Sequence, residues 1–508
     1  MVSKKGSRFL SVISDTPIPL RKHPIEKFSL TPFLSPSEWP PSEQAELPRA
    51  LKSLAQIIDN GLCHRCGTCV GICPTKVLGR DEEEYPVVKD LNSCTDCDLC
   101  VKVCPGDEFD LLTHHQEVFK RPAEVTATHG YFERSVVAHA TDPEIRERST
   151  SGGLVTAILL DLLSRGEIHG AVTVGSHESI LWMGSPILAR TREDIISTMK
   201  SKYAISPTNS VLDAVRDLDG KVAVVGLPCQ IHGILKAKAL DSRLRDKITF
   251  TIGLFCHAAI EHEAFSVIWE TLGVNVDGAK KFISRVGKHP GSPHIERKNG
   301  SLYPVYFGSK FGYRPSSIEV INILYRLYTP SRCLTCFDAT SEFADISVGD
   351  PWMAPPNDSV NFYDGWSFGL IRTAKGTAVY DRLVSDGKLK SVEVSRDEAL
   401  ASNRLMANEK RWRAFRVIET HRRQGKSIPD YGMFSPPHSV GHFVKTELHM
   451  LSHFLCYVPS FRAGVLRFML GNGGYVLFWL NHKRRSFRFW RRDKAALLRR
   501  RWREWKRP

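Results

Sequence analysis

The chain has no uncharged apolar stretch of the ~18–20 residues that a bilayer-spanning helix needs, so no such helix is expected. Its first 25 residues carry Lys4, Lys5, Arg8, Arg21 and Lys22 against Asp15, and they lack the continuous apolar core of an export signal. Charge is not in surplus along most of the length either. The formal net charge is +15, but the segment from Lys483 to Arg507 holds 13 Lys/Arg against only Asp493 and Glu504. Outside that segment acids and bases nearly cancel, so the basicity belongs to a tail and does not mark a nucleic-acid-binding body. A composition of 42% hydrophobic and 25% charged residues argues against bulk disorder, and 508 residues suffice for several domains. Cysteine is the exception: there are 13, and eight of them fall between Cys63 and Cys104. A chain this long is not a small disulfide scaffold. Thiols at ligand spacing without an export signal point to metal in a reducing, cytoplasmic compartment.

The eight form two matching runs, Cys63-x2-Cys66-x2-Cys69-x3-Cys73-Pro74 and Cys94-x2-Cys97-x2-Cys100-x3-Cys104-Pro105. This is the spacing of two [4Fe–4S] clusters, in which the fourth cysteine of each run serves the other cluster. It predicts one cluster on Cys63, Cys66, Cys69 and Cys104, and a second on Cys94, Cys97, Cys100 and Cys73. Structural zinc would use paired C-x2-C units rather than two tight quartets ending in Cys-Pro.

Four regions follow along the chain: an irregular Pro/Ser-rich arm (1–50), a ferredoxin-like module (51–120), a body (130–430) and a basic aromatic tail (431–508). Helical patterns are expected at 51–60, 228–240 and 261–272, and as a capped helix in RSTSGGLVTAILLDLLSRG. AVTVG (171–175), KVAVVG (221–226), ITFTIGLF (248–255), ADISVG (344–349) and FGLIR (368–372) read as strands. Alternating strands and helices argue for an α/β fold with a mainly parallel sheet.

Cys229 follows KVAVVG at a helix start, with Pro228 in the first helical position, and Cys256 follows ITFTIGLF. If these strands are parallel, both thiols lie at the carboxyl edge, where open α/β sheets bind ligands. Cys333-x2-Cys336 precedes ADISVG and completes a four-thiol set. Two other readings stand: Cys229 and Cys256 as small buried residues, or Cys229 as a nucleophile beside His232 or His257, although no third orienting group is identifiable. Cys456, in the tail, reads as a buried thiol.

STSGGLVTAIL (149–159), SKYAIS (201–206), VAVVGLPCQI (222–231), IGLFCH (252–257), CLTCFD (333–338), ADISVGDPW (344–352) and GLIRT (369–373) resemble the beta subunit of coenzyme F420-reducing hydrogenase. F420H2 dehydrogenase input subunits, chlorophyllide 8-vinyl reductase and 7-hydroxymethyl chlorophyll reductase are relatives. The resemblance spans roughly residues 60–400. It implies an oxidoreductase that is an iron–sulfur flavoprotein, with FAD against a third [4Fe–4S] cluster on Cys229, Cys256, Cys333 and Cys336. Electrons would pass between a redox partner protein, the ferredoxin clusters, the body cluster, FAD and a substrate such as F420.

Under that resemblance Thr150, Ser151, Gly152 and Gly153 form a helix mouth for the FAD pyrophosphate, against an ordinary Ser/Thr cap. Lys202, beside Tyr203, would offset phosphate or reduced-flavin charge, or else be a solvated lysine. Pro228 joins the cofactor-contacting set. Asp345 and Asp350 flank a strand end, to bond a ribose or to close a turn. The arm and the tail are departures from the family pattern. In the tail Arg alternates with Phe487, Phe489, Trp490, Trp502 and Trp505, which suits an anionic membrane interface, with a solvated tail as the plain alternative and nucleic acid disfavoured. Three further functions are weighed against the reductase: an electron-relay subunit without its own substrate, a non-enzymatic cluster-binding or regulatory protein that would hold clusters but no flavin, and a reductase tailoring an envelope polysaccharide or lipid.

Overall fold

A computed structural model describes residues 18–20, 47–272, 276, 278–305, 317–433 and 458–471, with isolated positions 441, 444, 448, 474, 476, 477, 479, 480, 483 and 484. Most of the Pro/Ser-rich arm, Cys456 and the five aromatic residues named in the basic tail lie outside the described residues.

The cysteine module is small and held from one side by a helix. Strand β1 (Ile18–Pro19) belongs to the arm. Helix α1 (Arg49–Asp59) buries Leu51, Leu54, Ala55 and Ile58, the helical spacing of LKSLAQIID. They pack on Leu20, Val77, Leu78, Val88 and Cys100. Cys69 and its neighbours form the short helix α2 (Thr68–Ile72), ahead of the hairpin of β2 (Leu78–Arg80) and β3 (Pro86–Val88). Cys100 sits in a matching turn, α3 (Leu99–Lys102). Pairing of Ile18 with Val88 adds β1 to the hairpin, so two residues of the arm lie against the module.

The body is built on an eight-stranded sheet. It begins with β4 (Arg134–Ala140), helix α4 (Leu154–Ser164), β5 (Gly170–Ser176) and β6 (Gly184–Ala189). Next come β7 (Val222–Gly226), α5 (Pro228–Leu240), β8 (Ile248–Leu254) and α6 (Glu263–Leu272). A separate antiparallel sheet of β9 (Ala279–Val286), β10 (Ser292–Arg297) and β11 (Leu302–Pro304) is inserted here, followed by α7 (Ser317–Leu327). The large sheet is completed by β12 (Ile346–Gly349), β13 (Ser367–Ile371), α8 (Ala374–Ser385) and β14 (Leu389–Glu393). Helix α9 (Arg404–Arg423) then packs behind it, and α10 (Pro459–Leu470) lies on α6 through Arg462 and Glu263.

The strand order is β14-β4-β13-β12-β8-β7-β5-β6. The four central strands β12, β8, β7 and β5 run parallel. These are the segments read as ADISVG, ITFTIGLF, KVAVVG and AVTVG. FGLIR, as β13, runs antiparallel to β12, and the strands at both edges are antiparallel as well. The parallel strands are apolar on both faces because helices cover both. On one face α4 buries Leu154, Ile158, Leu159 and Leu162 against Val136, Ala138 and Ile346. On the other, Ile234 and Ala237 of α5 meet Val222, Val224 and Ile248, joined by Ile72 and Val103 of the cysteine module. The module therefore shares a core with the body. No helix among the described residues is long and apolar enough to cross a membrane.

Candidate functional site

Each cysteine run turns on two left-handed residues, at the second and fourth positions after its first cysteine: Arg65 (φ 54°) and Gly67 (φ 83°), then Asp96 (φ 51°) and Asp98 (φ 63°). Such alternation turns successive amide N–H groups to one side and forms a concavity for an anionic group. Glycine is at ease in that region, whereas the three other residues are held there by their surroundings. At Gly67 a side chain would also meet the Pro207 carbonyl at 2.6 Å and the Ser210 nitrogen at 2.7 Å, so the first run is fitted closely against the body.

The two halves of the module are interleaved as the spacing requires. One cavity is lined by Cys63, Cys66, Cys69 and Cys104, with His64, Arg65 and Gly106. Burial first, then the neighbouring Cys104 and Cys66 charges, push the Cys63 thiol up to about 12. Burial and Cys66 push Cys104 up to about 11. Around Cys100, burial and then Cys73, Cys97 and Cys94 push the thiol up to about 12. Thiols buried together in this way are stable as thiolates only with a polycationic metal core between them. Among the described residues no three His, Cys, Asp or Glu side chains converge as they would around one metal ion. The two interleaved cysteine runs fit iron–sulfur groups, whose thiolates each bind a separate iron.

The first run faces the body and the second faces outward. Asn209 donates from its backbone to the Cys66 carbonyl (3.1 Å) and from its amide to Thr68 Oγ1 (2.9 Å). Arg216 reaches the Gly71 carbonyl (2.6 Å), and Arg65 pairs with Glu261 (2.7 Å). Arg332, 2% exposed, donates from Nε to the carbonyls of Leu62 (3.0 Å) and Gly106 (3.2 Å), and from Nη2 to Gly106 again (2.8 Å). Cys97, in the second run, is the exposed member among the described thiols.

In the body, Cys229 at the head of α5 and Cys256 after β8 lie at the carboxyl edge of parallel neighbours. The Cys333–Cys336 loop is drawn to the same edge, where the Cys256 N–H donates to the Ala339 carbonyl (2.9 Å). The Cys229 thiol is pushed well up by burial, then by Cys66, Cys336, Cys256 and Cys333. The four body thiols are thus mutual neighbours, and the group borders the first ferredoxin run through Cys66. His232 is not aimed at a nucleophile: its Nε2 meets Asp338 (3.1 Å), and its ring stacks on Phe109 at 3.9 Å.

The helix mouth is more inward-looking than expected. Gly152 N–H donates to Ser367 Oγ (3.0 Å), and the Ser151 hydroxyl donates to the Trp366 carbonyl. Thr150 Oγ1 accepts from the Ser201 N–H (3.0 Å). A side chain at Gly152 would meet the Ala138 carbonyl at 2.4 Å and the Ser367 nitrogen at 2.6 Å, so this glycine serves close backbone approach. Gly153, at φ 80°, opens α4 as its N-cap. Asp345 accepts from Thr251 N–H and Oγ1 (both 2.9 Å) and from Thr373 Oγ1 (2.7 Å) at the amino end of β12. Its acceptor capacity is thus engaged in closing that turn, at the edge away from the thiols. Asp350, at the carboxyl end, pairs with Arg285 (2.6 Å).

Lys202 is not a solvated lysine. Its ammonium donates to the carbonyls of Thr198 (2.6 Å) and Met199 (3.2 Å). Burial and then Lys281 pull it down to about 7. Lys200 is pulled down to about 8 by burial, then by Arg285, Lys281 and Arg148. Cations that depress one another in this way favour an anion. Tyr203 joins this basic crowd through Arg285. Tyr325, half-buried, has its phenol pushed well up by desolvation and then by Tyr203, Cys256 and Cys333, so it bridges the basic crowd and the body thiols.

Sequence reasoning missed Lys200, Arg285, Tyr325, Arg332 and Lys410. Arg332 and Lys410 carry no spacing signal: one is an arginine beside a cysteine, and the other sits in a strongly charged helix that reads as solvent-facing.

Family models match the chain in three stretches: the 4Fe-4S dicluster domain over residues 55–105, and the coenzyme F420 hydrogenase/dehydrogenase beta subunit, N-terminal part over 135–213 and C-terminal part over 219–397. The coenzyme F420-dependent sulfite reductase of Methanocaldococcus jannaschii is 29% identical over 340 residues, 64% of this chain and 46% of that protein. The chain therefore spans about half the length of that relative. The coenzyme F420 hydrogenase subunit beta of Methanosarcina barkeri is 29% identical over 58% of this chain and 94% of its own length. That of Methanococcus voltae is 30% identical over 52% of this chain and 86% of its own.

Proposed function

The chain belongs to the coenzyme F420 hydrogenase/dehydrogenase beta-subunit family, with a 4Fe-4S dicluster domain ahead of it, and on that premise we propose that it is an iron–sulfur flavoprotein oxidoreductase that exchanges electrons between a redox partner protein and a two-electron substrate of the F420 kind. The observation that carries this reading is the joining of four cysteines from distant segments at one sheet edge, between Cys66 on one side and Tyr325 on the other.

Cys63, Cys66, Cys69 and Cys104 would hold one [4Fe–4S] cluster, Cys73, Cys94, Cys97 and Cys100 a second, and Cys229, Cys256, Cys333 and Cys336 a third. When bound, such clusters exchange single electrons and a flavin couples them to hydride transfer. The residues of the chain supply placement. Pro228 starts α5 so that Cys229 emerges at the edge, and the Arg65–Glu261 and Arg332 contacts hold the first run against it. Lys200 and Lys202 would take the flavin phosphates, Tyr203 and Tyr325 would wall the flavin from the thiols, and exposed Cys97 marks the face where a partner approaches. A relay without its own substrate is less favoured, because that role needs no basic crowd beyond the body thiols.

The test is flavin affinity against pH. Lys202 without an anion titrates near about 7, below an ordinary lysine. Below that pH it is an ammonium, ready for phosphate. Above it, binding must take up a proton, so affinity falls up to about tenfold per pH unit until the raised value in the complex is reached. Isothermal titration of the anaerobic chain with FAD is expected to show this slope, and Lys202→Met is expected to flatten it. Absence of FAD binding at every pH would overturn the flavoprotein reading.

A further inference from the structure

Lys410 lies in the interior of α9, 1% exposed, and its ammonium donates to the Cys256 carbonyl at 2.8 Å. Among the described residues no carboxylate stands within ion-pair distance of it, and the same holds for Arg332. A buried cation without a partner is costly and is found where a negative charge compensates it. The nearest carboxylates are engaged elsewhere: Asp338 with His232 and the N–H groups of Thr340 and Glu342, and Glu342 with Arg411. Four thiolates around a [4Fe–4S] core form a dianion when oxidised and a trianion when reduced, and the cluster potential follows net charge and surroundings. A fixed cation beside the group favours the more negative state.

We propose that Lys410 is a positioning residue that sets the potential of the iron–sulfur group on Cys229, Cys256, Cys333 and Cys336, holding its ammonium beside Cys256 so that the reduced state is stabilised. The inference rests on the three-cluster reading above. It gives the body group a higher potential than the same thiols would have alone. Lys410 touches neither the helix mouth nor the Lys200–Lys202 crowd, but its charge is felt at His64 in the first ferredoxin cavity, so its effect is expected to be largest at the body group and to spare the outer ferredoxin group.

The experiment is an EPR-monitored redox titration of the full chain, purified without oxygen, comparing Lys410→Met and Lys410→Arg with the unsubstituted protein. At the potential where the body cluster is half reduced in the unsubstituted chain, Lys410→Met is expected to lower its reduced-to-oxidised ratio at least tenfold, which is a displacement of 59 mV for one electron. Lys410→Arg keeps the charge and is expected to restore most of the ratio, while the ferredoxin cluster on Cys73, Cys94, Cys97 and Cys100 serves as the internal standard and stays in place. An unmoved ratio in Lys410→Met, or an equal shift in Lys410→Arg, overturns the proposal. If Lys410→Met does not retain the body cluster, Lys410→Gln decides by the same ratio. A body signal that is missing from the unsubstituted chain sinks the three-cluster reading itself, whereas a signal present but indifferent to residue 410 sinks only this inference.

Discussion

Replacing Cys256 by alanine is expected to lower iron from about twelve to about eight per chain and to leave both ferredoxin clusters intact. Cys256 belongs to the body group, which meets the ferredoxin cysteines only at its Cys66 border, and its backbone is fixed by β8 and the bond to Ala339, so the strand need not move when the thiol is lost. The lost group lies between Cys66 and Tyr325. Reduction of bound flavin through the ferredoxin module should therefore fall to background, while direct chemical reduction of the flavin is unaffected. Cys333→Ala should behave in the same way. Iron and acid-labile sulfide, measured beside stopped-flow flavin reduction, check both. Retention of twelve iron by either variant would contradict a ligand role for that cysteine.

The second large effect is structural. Arg332→Met removes donors from the carbonyls of Leu62 and Gly106 and from the hydroxyls of Thr335 and Tyr431, all in the buried seam between module and body. Methionine fills the volume but leaves those neutral acceptors unpaired, which costs about 1–3 kcal/mol for each buried group left unsatisfied. Lysine should not rescue it, because a point ammonium cannot reach acceptors that the guanidinium fork serves from two sides. Urea unfolding followed by visible cluster absorbance is expected to show loss of the module at lower denaturant. A stability change below about 1 kcal/mol would mean that the seam is held by apolar packing instead.

The ferredoxin cysteines were legible because their chemistry is local: eight residues at fixed spacing state both the ligand and its exchange between runs. The fold brings Cys63 to Cys104 and Cys100 to Cys73 as that spacing requires. The four parallel strands were legible from apolar runs covered on both faces. The direction of FGLIR was not, because an apolar five-residue run carries no sign of which way it lies. RSVVAHA (β4) and the edge strands β6 and β14 were missed for a related reason. Their pairing is set by neighbours far away in sequence rather than by a local pattern.

The helix mouth is ambiguous in sequence. Ser, Thr and Gly before a helix are consistent both with an anion site and with tight packing, and Gly152 sits close between Ala138 and Ser367. Lys202 was legible as a cation near the site, but Lys200 and the desolvation of both lysines were not, because no composition count records burial. Lys410 was hidden for the same reason. A helix reading RLMANEKRWRAFRVIETHRR looks solvent-facing, yet Lys410, Arg411 and Arg413 point inward.

The account turns on one chain holding three iron–sulfur groups and a flavin. The most direct test is to purify the full chain without oxygen and measure iron, acid-labile sulfide and released flavin per polypeptide. About twelve iron with matching sulfide and one FAD is the predicted result. About eight iron without flavin would leave the ferredoxin module alone, reduce the gathered body cysteines to buried thiols and place the substrate chemistry on another protein.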